Sequence, residues 1–206
     1  MGLKETQAHH WAKKDLKIIQ SYWDSPPATK RSLWFVEQLK QFEFSSIFEV
    51  GFFAGRNLRY IKETFPTKQL AGIEVNKAAV AFAKEKLGLP ELAHLDLHKL
   101  DEMKSTHDIV FSSGVLIHVP PEEIPEALNK FIRKASKYVM HIEHDGLGEL
   151  VAGPKELKPI YKVSDQLQWR PNLVGTYKAL GYEPQVIPLP DDCKTNGASE
   201  LVVIKL

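Results

Sequence analysis

The strongest constraint on the fold is a regular alternation of two kinds of segment that begins at Ile47. Short apolar runs rich in β-branched and aromatic residues (IFEV, LAGIEV, DIVFSSGV, YVMHI) are separated by amphipathic stretches such as NLRYIKETF, KAAVAFAKEKLG and PPEEIPEALNKFIRKAS. This alternation is typical of βαβ units, whose strands form a parallel sheet with helices on its faces. The sequence therefore predicts an α/β, Rossmann-like, doubly wound fold with a mostly parallel seven-stranded sheet.

The remaining segments fit a single domain over residues 1–206, a length ordinary for one hydrophobic core. Apolar residues at helical spacing, interrupted by the turn signal SPP, predict two N-terminal helices that form a helical cover over residues 1–44. The Rossmann-like core is expected to occupy residues 45–206. Within it the pattern lapses over residues 145–171, which are rich in glycine and proline, and an irregular segment of this length is expected to be a lid or binding loop.

Composition narrows the choice of partner. The chain has 27 basic and 26 acidic residues, a net charge of +1, and no block of like charges. Nucleic acids and anionic membranes usually require clustered Lys and Arg, so neither is expected as a partner, and a small-molecule substrate fits better. The single cysteine excludes an intrachain disulfide. The absence of a long apolar stretch and of a signal-peptide pattern leads us to expect a cytoplasmic protein.

The most informative motif is EVGFFAGRN, which follows the first predicted strand and opens a helix. Gly51 and Gly55 allow a tight turn and a close approach of a ligand to the backbone, and the helix that follows presents free N–H groups. The motif lacks the third glycine of the dinucleotide fingerprint, and Phe53 stands between the two glycines that are present. A pyrophosphate therefore has little room at this turn.

Polar residues also follow the next predicted strands. Glu74 ends the second strand, about 20 residues after the glycine turn, where a carboxylate can accept hydrogen bonds from a ribose. Asp96 lies in the third predicted strand, AHLDLHKL, and Ser112 and Ser113 end the fourth. In open α/β sheets, ligands bind beyond the carboxyl ends of the strands, so these side chains are expected to line one cleft.

At these residues the chain resembles the class I S-adenosylmethionine-dependent methyltransferases, whose first motif, an acidic residue followed by x-G-x-x-x-G, matches EVGFFAG. The resemblance covers roughly residues 44–144 and implies S-adenosyl-L-methionine as the cofactor. It implies that the methionine part contacts Glu49, Gly51, Gly55 and Asn57, that the ribose contacts Glu74, and that the adenine contacts Asp96 and Leu97. Ser112 and Ser113 are expected on the same rim. The stretch GVLIHVPPEEIPEAL is loosely similar to small methylases associated with pseudaminic acid, a surface sugar, and implies a sugar or nucleotide sugar as a possible acceptor.

Methyl transfer requires a positioned nucleophile and, for a hydroxyl or ammonium nucleophile, a base. Residues beyond the fourth and fifth strands can supply it, with His118 as the first choice and Glu143 and His144 as the next. The run HIEH could also bind a metal ion, but strand alternation places its residues on opposite faces, so no metal is predicted. The fourth strand lacks the Asn/Asp-Pro-Pro-aromatic signature of methylases that act on nucleobase amines.

Several alternatives stay open from the sequence. A nicotinamide-dependent oxidoreductase shares the sheet and the acid after the second strand, but it predicts the missing third glycine. A catalytically silent module could keep the cofactor pocket and use the 145–171 loop to bind a protein. The N-terminal aromatic residues could cover the site or belong to the core; they are Trp11, Tyr22, Trp23 and Trp34.

Overall fold

The computed structural model describes residues 10–143, 161–163, 166–168, 170–194 and 198–206. Its main sheet has seven strands in the order β3-β2-β1-β4-β5-β9-β8. The first five strands along the chain are parallel to one another, and β9 runs antiparallel to both of its neighbours, β5 and β8. These strands are β1 (Ser46–Val50), β2 (Gln69–Glu74), β3 (Leu92–His94), β4 (His107–Ser113), β5 (Ala135–Glu143), β8 (Gln185–Pro188) and β9 (Glu200–Lys205). The predicted Rossmann-like seven-stranded sheet is confirmed, and it is a mixed sheet.

Six α-helices with both ends in the described part of the chain surround this sheet. They are α1 (Leu16–Trp23), α2 (Pro26–Leu39), α3 (Arg56–Thr64), α4 (Lys77–Leu87), α5 (Ile124–Lys134) and α6 (Leu173–Ala179). Their ends follow local sequence signals. Asn76 caps α4 by accepting a hydrogen bond from the amide of Ala79, and Gly88 ends that helix in the left-handed conformation.

The core lies on both faces of the sheet because successive residues of a buried strand point to opposite sides. In β1, Ile47 packs with residues of α2, α3 and α4, such as Leu39. Its neighbour Phe48 packs on the other face with residues of α5 and α6, such as Phe131 and Tyr177. This two-sided packing is the doubly wound arrangement that the sequence predicts, and it leaves the strand ends at the rim for the site.

Two local predictions need correction. The third strand was predicted over Ala93–Leu100, but it ends at His94, and Leu97–Glu102 form a 3₁₀ helix. The reason is the carboxylate of Asp96, which caps this helix by accepting a hydrogen bond from the amide of His98. The segment 145–171 was predicted to be irregular, yet β6 (Tyr161–Val163) and β7 (Gln166–Gln168) pair there in antiparallel fashion.

Most other residues of the predicted 145–171 lid lie outside the described residues, so the lid stays a prediction. Across the part of the chain that is described, the helices are too short or too polar for a membrane crossing.

Candidate active site

The carboxyl ends of β1, β2, β3 and β4 lie side by side at one edge of the sheet. Val50, the last residue of β1, pairs with Ile73 on one side and with Ser112 on the other. Glu74, the last residue of β2, pairs with His94 at the end of β3. The strand ends that carry the predicted site residues therefore do meet at one rim.

The glycine turn connects β1 to α3 with three residues in the left-handed region. Gly51 has φ +72°, Gly55 has φ +81°, and Phe53 between them has φ +43°, which is unusual for a residue with a side chain. A Cβ atom added at Gly51 would lie 2.5 Å from Cγ2 of Val115, so only glycine fits against the loop that follows β4. Gly55 precedes α3 without a side-chain cap, so the first turn of α3 has no side-chain acceptor at this position.

Glu49 is buried at the base of the glycine turn. Its Oε1 accepts a 2.6 Å hydrogen bond from Nδ2 of Asn57, and Oδ1 of Asn57 accepts a 2.6 Å bond from the hydroxyl of Ser32. Its Oε2 is buried without a hydrogen-bond partner among the described residues. Burial raises the pKa of Glu49 to about 7, although the Asn57 bond and the nearby charge of Arg56 oppose the rise. The site thus holds a carboxylate with one unpaired oxygen.

Glu74 holds the glycine turn in place from the end of β2. Its Oε2 accepts a 2.9 Å hydrogen bond from the amide of Phe53, and its Oε1 accepts a 2.8 Å bond from the amide of Asn76. Burial raises the pKa of Glu74, and these amide donors oppose the rise. Each carboxylate oxygen can accept a further hydrogen bond, so the group still has acceptor capacity for a ligand.

Asn76 ties the N-terminal segment to this rim. Its Nδ2 donates hydrogen bonds of 2.8 Å to the carbonyl of Trp11 and 3.0 Å to that of Lys14. The indole of Trp11 lies edge-on against the rings of Phe53 and His118, with both pairs of ring centroids 5.3 Å apart. The N-terminal segment therefore covers the glycine turn and the loop after β4 together.

The other N-terminal aromatic residues divide between the site and the core. Tyr22 contacts the ring of Phe53 at 5.0 Å between centroids, whereas Trp23 packs on Phe82 of α4. Trp34 packs against the hydrophobic core. The sequence left open whether the N-terminal aromatic residues cover the site or belong to the core. In the structure, Trp11 and Tyr22 lie at the site, against Phe53 of the glycine turn.

The predicted adenine contacts lie at the end of the rim beyond β3. The carboxylate of Asp96 is partly exposed, and its Oδ1 accepts a 2.8 Å hydrogen bond from the amide of His98. Leu97 is half-buried against the core on the α5 side of the sheet. Asp96 therefore caps the 3₁₀ helix and still presents carboxylate surface to solvent.

Ser112 joins a buried chain of polar groups on the α5 and α6 side of the sheet. Its hydroxyl donates a 2.7 Å hydrogen bond to Oε1 of Glu143 and lies 2.9 Å from Nδ1 of His141. Nε2 of His141 lies 2.7 Å from the hydroxyl of Tyr177, and the amide of Val115 donates a 2.9 Å bond to the same Oε1 of Glu143. The sequence did not identify Tyr177, because its position depends on how α6 packs.

Two more of the predicted residues, His118 and Ser113, lie close to these buried polar groups in sequence and at the same rim. His118 ends a short 3₁₀ turn, Leu116–His118, and its ring contacts Trp11 as described above. The hydroxyl of Ser113 is buried without a hydrogen-bond partner in the described region. His144 lies outside the described residues. Of the predicted bases, Glu143 and His118 can therefore be placed on the rim.

The HIEH run shows no metal-binding arrangement where it is described. Both ring nitrogens of His141 are engaged by Ser112 and Tyr177. Over the described residues as a whole, no group of three or more histidine, cysteine or acidic side chains is arranged to hold a metal ion.

A match to a known family covers the central part of the chain. Residues 47–137, from β1 to the start of β5, match the family described as a methyltransferase domain. This stretch of 91 of the 206 residues is similar to methyltransferase domains. The seven-stranded sheet and the glycine turn agree with the fold that the resemblance to the class I S-adenosylmethionine-dependent methyltransferases implies. No curated protein sequence matches the chain.

Solved structures of methyltransferases share this fold. The structure of a DhpI–SAH complex, where SAH is S-adenosylhomocysteine, aligns with a TM-score of 0.69 at 16% identity, over 98% of this chain and 96% of that one. The plantazolicin methyltransferase BpumL in complex with SAH aligns with a TM-score of 0.62 at 15% identity, over 98% and 95% of the two chains. A sugar N-methyltransferase from a Streptoalloteichus species aligns with a TM-score of 0.61 at 17% identity, over 88% and 87%.

These matches do not support the alternative assignments to a nicotinamide-dependent oxidoreductase or a silent binding module. At such low identity the structural neighbours establish the fold of the methyltransferase domain alone. The roles of individual rim residues therefore rest on the chemistry of their surroundings.

Proposed function

We propose that this protein is a methyltransferase, which transfers the methyl group of S-adenosylmethionine to a small-molecule acceptor bound beyond the ends of β4 and β5. The observation that carries the proposal is the position of two buried carboxylates, Glu49 and Glu74, at the glycine turn of a methyltransferase domain. When bound, the cofactor supplies an electrophilic methyl group on a sulfonium.

The residues at the rim fit the three parts of this cofactor. The buried, unpaired Oε2 of Glu49 suits the ammonium of the methionine part, because a buried carboxylate needs a cation or a donor. The amide-held carboxylate of Glu74 can accept hydrogen bonds from ribose hydroxyls. The partly exposed carboxylate of Asp96 can accept from the adenine amino group, with Leu97 as the apolar contact beside it. Gly51, Gly55 and Asn57 shape the turn between them.

A hydroxyl or ammonium acceptor must also lose a proton, and two rim residues compete for that role. The ring of His118 stacks edge-on against Trp11, in a position where it can close the site or accept a proton. The carboxylate of Glu143 is buried, its pKa is raised by burial, and its Oε2 lacks a hydrogen-bond partner among the described residues. A raised carboxyl pKa brings a base closer to neutral pH, so we assign the base to Glu143 and the covering role to His118.

The proposal includes the general chemical class of the acceptor. Among the proteins that share the fold are a plantazolicin methyltransferase, a sugar N-methyltransferase and a magnesium protoporphyrin IX methyltransferase from Synechocystis (TM-score 0.63, 12% identity). A small organic acceptor is the shared feature, and we propose it here. A sugar or nucleotide-sugar acceptor, and a cytoplasmic location, stay predictions of the sequence.

Calorimetric titration with SAH tests the cofactor assignment. The wild-type protein should bind SAH and should give no heat with NAD. Glu74→Ala should weaken SAH binding by about 1–3 kcal/mol, because charge-assisted hydrogen bonds to the ribose are lost. Glu91→Ala, which changes an exposed acid at the start of β3, is the matched control and should bind normally. Tight NAD binding without a response to SAH would contradict the proposal.

A further inference from the structure

Four polar side chains from three elements form one buried hydrogen-bonded chain near the carboxyl ends of β4 and β5. It runs from the hydroxyl of Tyr177 to Nε2 of His141, from Nδ1 of His141 to the hydroxyl of Ser112, and from that hydroxyl to Oε1 of Glu143. Each of these four residues is at most 1% exposed to solvent. A buried chain of this kind must match every donor to an acceptor, because an unmatched group is costly.

Counting protons fixes the direction of the chain. Burial lowers the pKa of His141 to about 3, so its ring is neutral and carries one N–H. The single proton of the Ser112 hydroxyl is donated to Oε1 of Glu143, so Nδ1–H of His141 donates to Ser112. Nε2 of His141 is then an acceptor, and the hydroxyl of Tyr177 donates to it. In this direction every donor of the hydrogen-bonded chain has an acceptor.

The same count distinguishes the two oxygens of Glu143. Oε1 accepts two hydrogen bonds, one from Ser112 and one from the amide of Val115. Oε2 is buried and accepts no hydrogen bond of ordinary length within the described residues, although the amide of Leu116 also acts on this carboxylate and lowers its pKa. A proton placed on Oε1 would face the two donors Ser112 and Val115, whereas a proton placed on Oε2 leaves both of these hydrogen bonds in place. Oε2 is therefore the atom at which Glu143 gains a proton.

We propose that Oε2 of Glu143 accepts the proton of the methyl acceptor, and that Ser112, His141 and Tyr177 are positioning residues that keep Oε1 occupied. This inference rests on the proposed function. In the step, the acceptor's electron pair forms a bond to the methyl carbon, the carbon–sulfur bond breaks with its electrons going to sulfur, and the acceptor's O–H or N–H proton passes to Oε2. The proton is then released to solvent as product leaves.

Two charged or titratable residues act on this hydrogen-bonded chain from neighbouring elements, Arg31 and Tyr182. Arg31 of α2 is the cation whose charge acts on Glu143, and it favours the ionised carboxylate. Tyr182 faces Tyr177 from the turn after α6, with ring centroids 6.3 Å apart. Tyr182 has no hydrogen bond to the chain among those described, so Tyr182→Phe is a matched control for Tyr177→Phe.

The test uses the unliganded 206-residue protein and needs no acceptor. The side-chain carboxyl of Glu143 is followed by ¹³C NMR as pH is varied, with Glu143→Gln identifying its resonance. Ser112→Ala removes one donor to the carboxylate and should raise the apparent pKa by about one pH unit. Tyr177→Phe should raise it by less, because the serine keeps its hydroxyl, and Tyr182→Phe should leave it unchanged.

An infrared measurement assigns the protonated oxygen. If Oε2 takes the proton, Oε1 is the carbonyl oxygen with two donors, and Ser112→Ala should move the C=O stretch of protonated Glu143 to higher frequency. Protonation on Oε1 would leave that frequency unmoved and would overturn the proposal. Unchanged pKa values in folded Ser112→Ala and Tyr177→Phe would overturn it as well, and should Ser112→Ala fail to fold, Tyr177→Phe decides.

The SAH titration separates this inference from the proposed function. A protein that binds SAH but shows no shift in either variant refutes the role of the chain while keeping the methyltransferase assignment. A protein that shows both shifts but binds no SAH refutes the proposed function, and with it the catalytic part of this inference.

Discussion

Replacing Glu49 with glutamine should stabilise the protein at high pH and weaken its cofactor binding at the same time. Glu49 is 1% exposed, and only its Oε1 has a hydrogen-bond partner among the described residues. The ionised carboxylate is therefore costly in the unliganded protein. Glutamine keeps the oxygen that accepts from Asn57 and removes the charge that would bind an ammonium.

The size of the effect follows from the pKa of Glu49, which burial raises from 4.5 to about 7. Between these values the folded protein binds more protons at this site than the unfolded chain, so the free energy of unfolding falls as pH rises. At about 1.4 kcal/mol per pH unit, the whole rise corresponds to about 3 kcal/mol, of which about 2.5 kcal/mol falls between pH 5 and pH 8. Glu49→Gln lacks this loss.

Urea denaturation at pH 5 and pH 8 measures this pH-dependent change in the free energy of unfolding. The free energy of unfolding of Glu49→Gln relative to wild type should increase by about 2–3 kcal/mol from pH 5 to pH 8. Glu85→Gln, on the exposed side of α4, is the control and should follow wild type. SAH affinity of Glu49→Gln should fall at least about tenfold at pH 8. Parallel pH curves for wild type and Glu49→Gln would refute the reasoning.

Two further predictions use pairs of equivalent positions. Gly51→Ala and Gly114→Ala both place a Cβ at φ near +70°, but only the Cβ at Gly51 collides with a neighbour, Val115. Urea denaturation should therefore show that the free energy of unfolding falls by about 1 kcal/mol in Gly114→Ala and by about 1–3 kcal/mol more in Gly51→Ala. Equal losses would refute the close packing of the glycine turn against the loop after β4. Asn76→Ala loses a helix cap and two hydrogen bonds to the N-terminal segment, whereas Asn172→Ala loses only a helix cap. The free energy of unfolding should fall by about 2–3 kcal/mol in Asn76→Ala and by about 1 kcal/mol in Asn172→Ala. Tryptophan fluorescence should change in the first variant only.

Much of the fold could be predicted because its information is local and periodic. The apolar runs of β1, β4 and β5 are bounded by helical stretches with ordinary caps, and Asn76 and Gly88 mark the ends of α4 as the sequence indicates. The third strand shows the limit of this approach. AHLDLHKL alternates like a strand, but the carboxylate of Asp96 offers the backbone a better partner as a 3₁₀ cap.

The site could be predicted in part. Parallel strands place their carboxyl ends at one edge, so Glu49, Glu74 and Ser112 could be grouped from their positions alone. The chain from Tyr177 to Glu143 could not be predicted, because it depends on the register that pairs Ser112 with His141 and on the packing of α6. The second role of Asn76, as the anchor of the N-terminal segment, depends equally on tertiary contacts.

The most direct test of the central claim is to map SAH onto the sheet by backbone amide NMR. We predict that SAH shifts the amides of the glycine turn, residues 51–58, together with those of residues 74–76 and 96–98, at the carboxyl ends of β1, β2 and β3. Amides at the opposite edge, such as those of Ser46 and Gln69 at the starts of β1 and β2, should stay unshifted. Shifts confined to that opposite edge, or to the outer side of α4, would contradict the account.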